Sequence, residues 1–152
     1  MTPLAKRTGR KARPLTQADY EALARLRHLL RRFAAFSAAA ALAQGLPPQQ
    51  HQALLAIKGH PRDQAMTVGV LAERLLITPH AATELTGRLE TSRLLVRRRD
   101  ARDRRRMILS LTPKAEKVLS ALSRAHLREI RSTTPALLAV LEKLEKGEAG
   151  RE

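Results

Sequence analysis

The sequence contains no cysteine and no tryptophan, and aromatic residues make up only 2% of it. Without cysteine the chain forms neither disulfides nor thiolate metal sites, and peroxide sensing by a thiol is excluded. The five histidines are scattered, and no Ser/His/Asp set, HExxH motif or glycine-rich phosphate loop occurs. The sequence therefore predicts a protein that is not an enzyme and that holds no metal and no cofactor.

Long apolar segments are also missing. The longest apolar run, Phe33–Ala43, includes Ser37 and is too short to span a bilayer. Asp19 and Glu21 follow the basic N-terminus where a secretory signal would have an apolar stretch. We therefore expect a cytoplasmic protein without a membrane partner. Its 152 residues, 43% of them hydrophobic, suffice for one domain or for a small domain with dimerisation extensions.

Acidic residues are scarce: 14 Asp and Glu stand against 29 Lys and Arg, which gives a formal net charge of +15. The excess is concentrated in two segments. Residues 1–13 carry five basic residues and no acidic one, and residues 93–106 carry eight Arg beside two Asp. Because a general bias towards Arg would raise its frequency everywhere, this clustering favours an anionic partner, with nucleic acid first.

The spacing of apolar residues predicts a mostly helical chain. Residues 1–15, with two prolines and five basic residues, are typical of a disordered arm. Thr16 is suited to cap a long first helix over residues 16–45. A second, short helix begins at Pro47-Pro48, and a third one, after an extended start at Met66, reaches Leu76.

The dipeptide Thr-Pro occurs at 78–79, 112–113 and 134–135. It predicts a helix start at each place, since Thr caps helices and Pro is tolerated at the first helical position. The segments 94–98 and 107–111 are strand-like and enclose a basic stretch, so they predict a hairpin. The predicted fold class is therefore mainly α with a small β-hairpin wing, in the order of a winged helix-turn-helix.

The helix that starts at Thr78 takes the place of a recognition helix, whose N-terminal residues meet base edges in the major groove. Thr78 is expected to cap the helix in either case. His80 is equally well explained as a surface residue, and a solvated position is slightly favoured for Glu84. The residues predicted to contact DNA from this helix are Thr78, Pro79, His80, Ala81, Thr83, Glu84 and, for a phosphate, Arg88.

The tip of the hairpin is expected to place an Arg in the minor groove. Asp103 and Arg105 lie two apart in a segment predicted to be extended, so both side chains point to the same side and the carboxylate can hold the guanidinium. Neutralisation of backbone phosphates is predicted for Arg97, Arg98, Arg104 and Arg106, and Arg102 is also predicted to bind DNA.

The stretch Asp100–Thr112 (DARDRRRMILSLT) resembles the signature wing of the MarR family of winged helix-turn-helix transcriptional regulators. Leu71–Leu75 and Thr78–Thr83, continued by Arg88–Glu90, are similar to the two helix-turn-helix helices of that family. The resemblance implies that Asp103 and Arg105 match the wing Asp and the minor-groove Arg. It also implies a DNA-binding lobe at 47–112, a homodimer formed through 16–45 and 113–146, and a frayed tail at 147–152.

Three positions depart from the family pattern. Leu76, Arg93 and Ala115 stand where the family commonly has glycine. A residue other than glycine must then adopt a left-handed backbone conformation or reshape the turn. These departures concern the geometry of the loops and leave the expected fold unchanged.

Members of the family often bind a small anionic or phenolic effector between the dimer helices and the DNA-binding lobe. The residues that we predict for such a site are His28 and Arg32, four apart on the first helix, with His51 at the start of the second. The alternative for His28 and Arg32 is a position in solvent or in an ion pair of an interface. The sequence identifies no particular ligand.

Together these features predict a sequence-specific double-stranded DNA-binding transcriptional regulator. It would act as a ligand-responsive repressor, as a homodimer on a pseudo-palindromic operator. The alternative is a non-specific, or RNA- or single-strand-binding, basic protein without a regulatory ligand. Single-strand binders stack bases on aromatic side chains, and the three that exist, Tyr20, Phe33 and Phe36, all lie on the predicted first helix.

Overall fold

The computed structural model describes residues 13–149. Most of the arm predicted at 1–15, and the last three residues of the predicted tail, lie outside the described residues. The elements in chain order are α1 (Gln17–Ala43), α2 (Pro48–Lys58), α3 (Val68–Leu75), α4 (Pro79–Thr91), β1 (Leu95–Arg99), β2 (Met107–Leu111) and α5 (Pro113–Ala149). The predicted fold class, mainly helical with a two-stranded antiparallel hairpin, is confirmed.

Threonine side chains cap three of the helices. The Oγ1 atoms of Thr67, Thr78 and Thr112 accept hydrogen bonds from the backbone N–H groups of the residues three positions further on, at 3.3, 3.2 and 3.2 Å. These bonds satisfy donors that the first turn of a helix cannot satisfy itself. The helix starts predicted at two of the Thr-Pro dipeptides, 78–79 and 112–113, are therefore confirmed.

The helix start predicted at 134–135 is wrong, because α5 continues without interruption through Pro135. Proline inside a helix lacks the N–H that would bond to the carbonyl four residues earlier. Tertiary packing outweighs that loss: Val140, beyond the proline, is only 2% exposed. The hairpin prediction is off by one residue on its first strand, which spans Leu95–Arg99 instead of 94–98.

Residues 31–132 form one compact unit, and the described parts of 1–30 and 133–152 form another. The core of the first unit is made of aliphatic side chains from α2, α3, α4, the hairpin and the start of α5, and its fully buried members include Leu54, Leu71 and Leu89. Leu109 of β2 donates its backbone N–H to the Met66 carbonyl at 2.8 Å, which fixes the hairpin to the segment before α3.

No helix in the described part of the chain is long and apolar enough to cross a membrane.

In the second unit, Arg13 lies at the end of the predicted arm and binds the start of α1. Its guanidinium pairs with the Asp19 carboxylate and donates from Nε to the Gly147 carbonyl at 2.6 Å. The Asp19 carboxylate also accepts the Thr16 backbone N–H at 2.7 Å. The hydrogen bonds from Arg13 and Thr16 hold the pKa of Asp19 well below its usual range.

Two of the three positions where glycine was expected adopt the left-handed conformation with another residue. Leu76, between α3 and α4, has φ 55°, and Arg93, between α4 and β1, has φ 57°. Ala115 is instead a buried residue in the first turn of α5. The loops therefore keep a left-handed geometry at the price of backbone strain at Leu76 and Arg93.

Candidate nucleic-acid interface

The first two turns of α4 present a polar face to solvent. Thr78, Pro79, His80, Thr83 and Glu84 are exposed, and Ala81 is half-buried. The opposite side of the same helix is fixed in the core by Ala82, Leu85, Thr86 and Leu89. Because one face is anchored and the other is free, the N-terminal part of α4 is a rigid, accessible surface.

The backbone already uses some of the polar groups on this face. Thr78 caps α4, and the Thr83 hydroxyl donates to the Pro79 carbonyl at 3.0 Å. The His80 Nε2 and Glu84 Oε1 atoms are 3.9 Å apart, and both side chains are mostly exposed. Arg88, one turn beyond Glu84, is also exposed. His80, Glu84 and Arg88 therefore remain able to reach a ligand outside the protein.

The tip of the hairpin is a tight turn, whereas the sequence predicted an extended segment there. The Asp100 Oδ1 atom accepts the backbone N–H of Arg102 at 2.9 Å, and the Asp103 Oδ1 atom accepts that of Arg105 at 3.0 Å. Short polar side chains stabilise turns in this way because they bond to the backbone two residues on. The predicted pairing between the side chains of Asp103 and Arg105 does not occur among the ion pairs of residues 13–149.

Most of the arginines on the hairpin point into solvent. One of them, Arg99, which the sequence did not assign to the site, donates to the Arg104 carbonyl at 3.1 Å and thereby supports the turn. The exposed arginines of this segment are Arg98, Arg99, Arg102, Arg104, Arg105 and Arg106. They form a basic tip on the hairpin, which we call the basic wing.

Arg97 is the exception among the hairpin arginines. Its Nε atom lies 3.0 Å from Glu90 Oε2, and its Nη2 atom donates to Thr86 Oγ1 at 2.9 Å. Its side chain is only 26% exposed. The sequence predicted a phosphate contact for Arg97, but the structure shows its guanidinium bound to α4. Glu90 and Thr86 were not predicted as partners, because a contact between a helix and a hairpin strand leaves no periodic pattern in the sequence.

The predicted effector residues occupy different environments. His28 and Arg32 are exposed on α1, whereas His51 is 3% exposed. His51 lines a cleft of about 430 Å³ in the unit of residues 31–132, and Arg32 does not line it. The residues that line this cleft are Phe33, Ala34, Ser37, Ala38, Pro48, His51, Gln52, Leu55, Ser123, His126, Leu127 and Ile130.

His126, which the sequence did not single out, organises the polar side of the cleft. Its Nδ1 atom is 2.6 Å from the Leu122 carbonyl oxygen, and its Nε2 atom is 2.7 Å from Ser37 Oγ. A carbonyl only accepts, so Nδ1 carries the proton, and in the neutral ring Nε2 accepts from the Ser37 hydroxyl. The His51 ring lies 4.8 Å from the His126 ring between centroids. Burial, and to a smaller extent His126, lower the pKa of His51.

These observations define the class of fold. Two short helices joined by a left-handed turn, followed by a hairpin with a basic tip, form a winged helix-turn-helix with a long helix on either side. Residues 44–106 match the family model described as the MarR family. The match covers less than half of the chain, and over these residues it confirms the resemblance seen in the sequence.

Proteins similar to this chain include a curated repressor and solved structures of the same fold. The HTH-type transcriptional repressor MdtR from Bacillus subtilis is 36% identical over 73 residues, which are 48% of this chain and 45% of MdtR. The match thus spans about half the length of that curated relative. AbsC, a MarR family transcriptional regulator from Streptomyces coelicolor, is 20% identical with a TM-score of 0.69 over 91% of this chain and 93% of AbsC. MepR from S. aureus, in the structure of its complex with DNA, is 19% identical with a TM-score of 0.65 over 90% of this chain and 95% of the MepR chain.

Proposed function

We propose that this protein is a homodimeric, sequence-specific double-stranded DNA-binding transcriptional regulator that acts as a repressor and not as an enzyme. One observation carries the proposal: the exposed N-terminal face of α4 and the basic wing belong to the same compact unit, and Arg97 joins β1 to α4. An exposed helix end fits the major groove, and a neighbouring basic hairpin suits the adjacent minor groove and its phosphates.

We infer a role for each part of the interface. The exposed side chains of His80, Thr83 and Glu84 would face base edges, together with the Thr78–Ala81 turn. Arg105, held at the tip by Asp103, would enter the minor groove. Phosphates would be neutralised by Arg88, Arg98, Arg102, Arg104 and Arg106. Arg97 is omitted from this set, because its guanidinium is already bound to Glu90 and Thr86.

A second copy of the chain would complete the site. In the described parts of 1–30 and 133–152, large apolar side chains remain exposed: Leu23 at 49%, Leu30 at 53% and Leu138 at 53%. A dimer through 16–45 and 113–146 would cover such surface and present two recognition helices to a pseudo-palindromic operator. Bound to the operator in the cytoplasm, the dimer would block a promoter. The similarity to the repressor MdtR supports repression instead of activation. The arm at 1–15 would add non-specific affinity for DNA.

The experiment that tests the proposal is selection of bound fragments from genomic DNA, followed by titration of a selected duplex over a range of salt concentrations. We expect an inverted repeat in the selected fragments and a linear fall of log K with log salt, by about 0.9 for each neutralised phosphate. Single-stranded DNA and RNA of the same sequence serve as competitors. A preference for either single strand, or an affinity that does not change with salt, would contradict the proposal.

We further propose that the cleft around His51 binds a phenolic or other neutral aromatic effector in preference to an anion. Its volume of about 430 Å³ lies in the range of small-molecule sites. Among the described residues, those that line the cleft include no Lys, Arg, Asp or Glu. Its polar groups are Ser37, Gln52, Ser123 and two histidines, and the lowered pKa of His51 keeps that ring uncharged at neutral pH.

Two neighbouring alanines on α1 provide the test of the effector site. Ala34 lines the cleft and Ala35, also exposed, does not. Ala34→Phe should fill the cleft and abolish binding of a phenol, measured by titration calorimetry, whereas Ala35→Phe should leave it intact. Equal effects of the two variants, or tighter binding of a carboxylate such as benzoate than of the phenol, would exclude the site as described.

A further inference from the structure

The guanidinium of Arg97 spans one turn of the recognition helix. It contacts Thr86 through Nη2 and Glu90 through Nε, and these two partners are four residues apart on α4. Thr86 is fully buried, and its hydroxyl donates in turn to the Thr83 carbonyl at 2.9 Å. These contacts therefore connect β1 to Thr83, whose side chain is exposed on α4.

We propose that Arg97 is a positioning residue that sets the orientation of the wing relative to the recognition helix and thereby sequence specificity, without binding a phosphate itself. This inference rests on the proposed function, since it concerns the same DNA interface. Glu90 and Thr86 would then be the two residues of α4 that hold the Arg97 guanidinium in place.

The position of Arg97 along the hairpin supports this role. Arg97 pairs across the hairpin with Leu109. The Leu109 backbone N–H donates to the Met66 carbonyl, which holds β2 to the segment before α3. At the same position of the hairpin, Arg97 holds β1 to α4. The basic tip projects beyond this level. A small rotation at Arg97 would therefore displace Arg105 relative to the bases that α4 contacts.

The chemistry of the contact also favours a fixed orientation. A guanidinium is planar, so a hydrogen bond from Nη2 to Thr86 together with an ion pair between Nε and Glu90 restrains both its angle and its distance to one helix. A Lys ammonium would retain the charge but not this directionality. Because the side chain of Arg97 is 26% exposed and that of Glu90 is 36% exposed, solvent and salt screen the pair less than a fully exposed one.

Arg97→Met and Arg98→Met form a matched pair for the test. The two arginines are neighbours on β1, but Arg98 is exposed and points to the other face of the hairpin. On a selected duplex, Arg98→Met should reduce the salt slope of log K by about 0.9, the contribution of one phosphate. Arg97→Met should leave the slope unchanged and lower the ratio of specific to non-specific affinity by about tenfold, within the range expected for loss of a coupled network.

Glu90→Met gives a prediction of opposite sign for the two roles, because Met removes both the charge and the acceptor oxygens. If Arg97 bound a phosphate and Glu90 only weakened its charge, loss of the carboxylate would strengthen binding to DNA. Positioning predicts instead that Glu90→Met lowers specificity as Arg97→Met does, and that the double variant is no worse than either single one. A salt slope reduced by Arg97→Met with specificity intact, or tighter and equally specific binding by Glu90→Met, would overturn the proposal.

A measurement without DNA separates this inference from the proposed function. Because the sequence has no cysteine, Thr91→Cys and Arg102→Cys allow two spin labels to be placed on the end of α4 and on the wing. We expect a narrow distance distribution in the parent and in Arg98→Met, and a broader or shifted one in Arg97→Met and Arg97→Lys. Arg97→Lys keeps the charge and most of the packing, so it remains informative if Arg97→Met fails to fold. Equal distributions in all four proteins would refute the positioning role, whether or not the protein binds DNA.

Discussion

The Asp103 carboxylate accepts a hydrogen bond from the backbone N–H of Arg105, with 3.0 Å between the two atoms. The Asp103 carbonyl accepts a second bond, from the N–H of Arg106, also at 3.0 Å. Asp103 therefore shapes the backbone that carries Arg105 and leaves the guanidinium of Arg105 free. The shape of the turn therefore depends on the acceptor oxygen of the Asp103 side chain more than on its negative charge.

Asp103→Asn and Asp103→Ala should consequently differ. The Asn side chain offers an oxygen in the same place, so the turn persists, and the loss of a negative charge beside phosphates should keep or raise affinity for DNA. Ala removes the acceptor, and we expect a loss of specific affinity of about 1 kcal/mol. Fluorescence anisotropy with a selected duplex measures the affinity of both variants for DNA. An equal loss in both variants would show that the carboxylate charge holds the Arg105 side chain in the bound state.

Arg105→Ala should weaken specific binding by about 1–3 kcal/mol, because the minor-groove contact and one cation are lost. Arg128→Ala is the control, since it removes the same charge from an exposed position on α5, outside the proposed interface. Both variants should unfold at the same temperature as the parent. Similar losses of affinity in the two variants would mean that the basic wing does not enter the groove.

Leu76→Gly should stabilise the fold. Leu76 is left-handed, with φ 55° and ψ 41°, and its side chain is 92% exposed, so little packing is lost. Removal of a left-handed strain of about 1–2 kcal/mol outweighs the greater freedom of the unfolded chain, about 0.4–1 kcal/mol. We expect a gain of about 0.5–1 kcal/mol in urea unfolding. Arg74→Gly, an exposed position within α3, should instead cost about 1 kcal/mol. A loss in both variants would rule out strain at Leu76.

Stability should decrease as the pH falls below about 6.5, the ordinary pKa of histidine. The folded protein lowers the pKa of His51, so between that lowered value and 6.5 the unfolded chain binds more protons than the folded one. Protons therefore favour unfolding in this window, and the stability is fully present above it. His51→Phe should flatten the dependence of the melting temperature on pH between 8 and 5. An unchanged dependence would show that His51 does not contribute to it.

Most of the elements could be predicted from local patterns. The caps at Thr78 and Thr112, the helices that follow them and the hairpin all depend on residues within a few positions of each other. The prediction failed at Pro135, where the local rule indicates a helix start and packing of the flanking turns keeps α5 continuous. It also failed at the tip of the hairpin, where Asp103 bonds to the backbone instead of to a side chain.

The cleft and the partners of Arg97 could not be predicted in this way. Ser37 and His126 are 89 positions apart in the chain, and Thr86 and Arg97 are 11 apart across a turn. Neither pair leaves a periodic signal. Of the predicted effector residues only His51 lines the cleft, because a histidine on a helix gives no sign of which face the rest of the fold will cover.

The spacing of apolar residues, the Thr-Pro dipeptides and the clustering of arginine were enough to predict the class of fold and the anionic character of the expected partner. Those properties depend on composition and on short-range spacing, which the chain carries in any conformation. The tertiary structure alone decided which arginines are free and which is bound, since a cation becomes a positioning residue only when folding brings Glu90 and Thr86 to it. It also decided that His51 is buried and Arg32 exposed, because burial depends on the packing of helices that are distant in the chain.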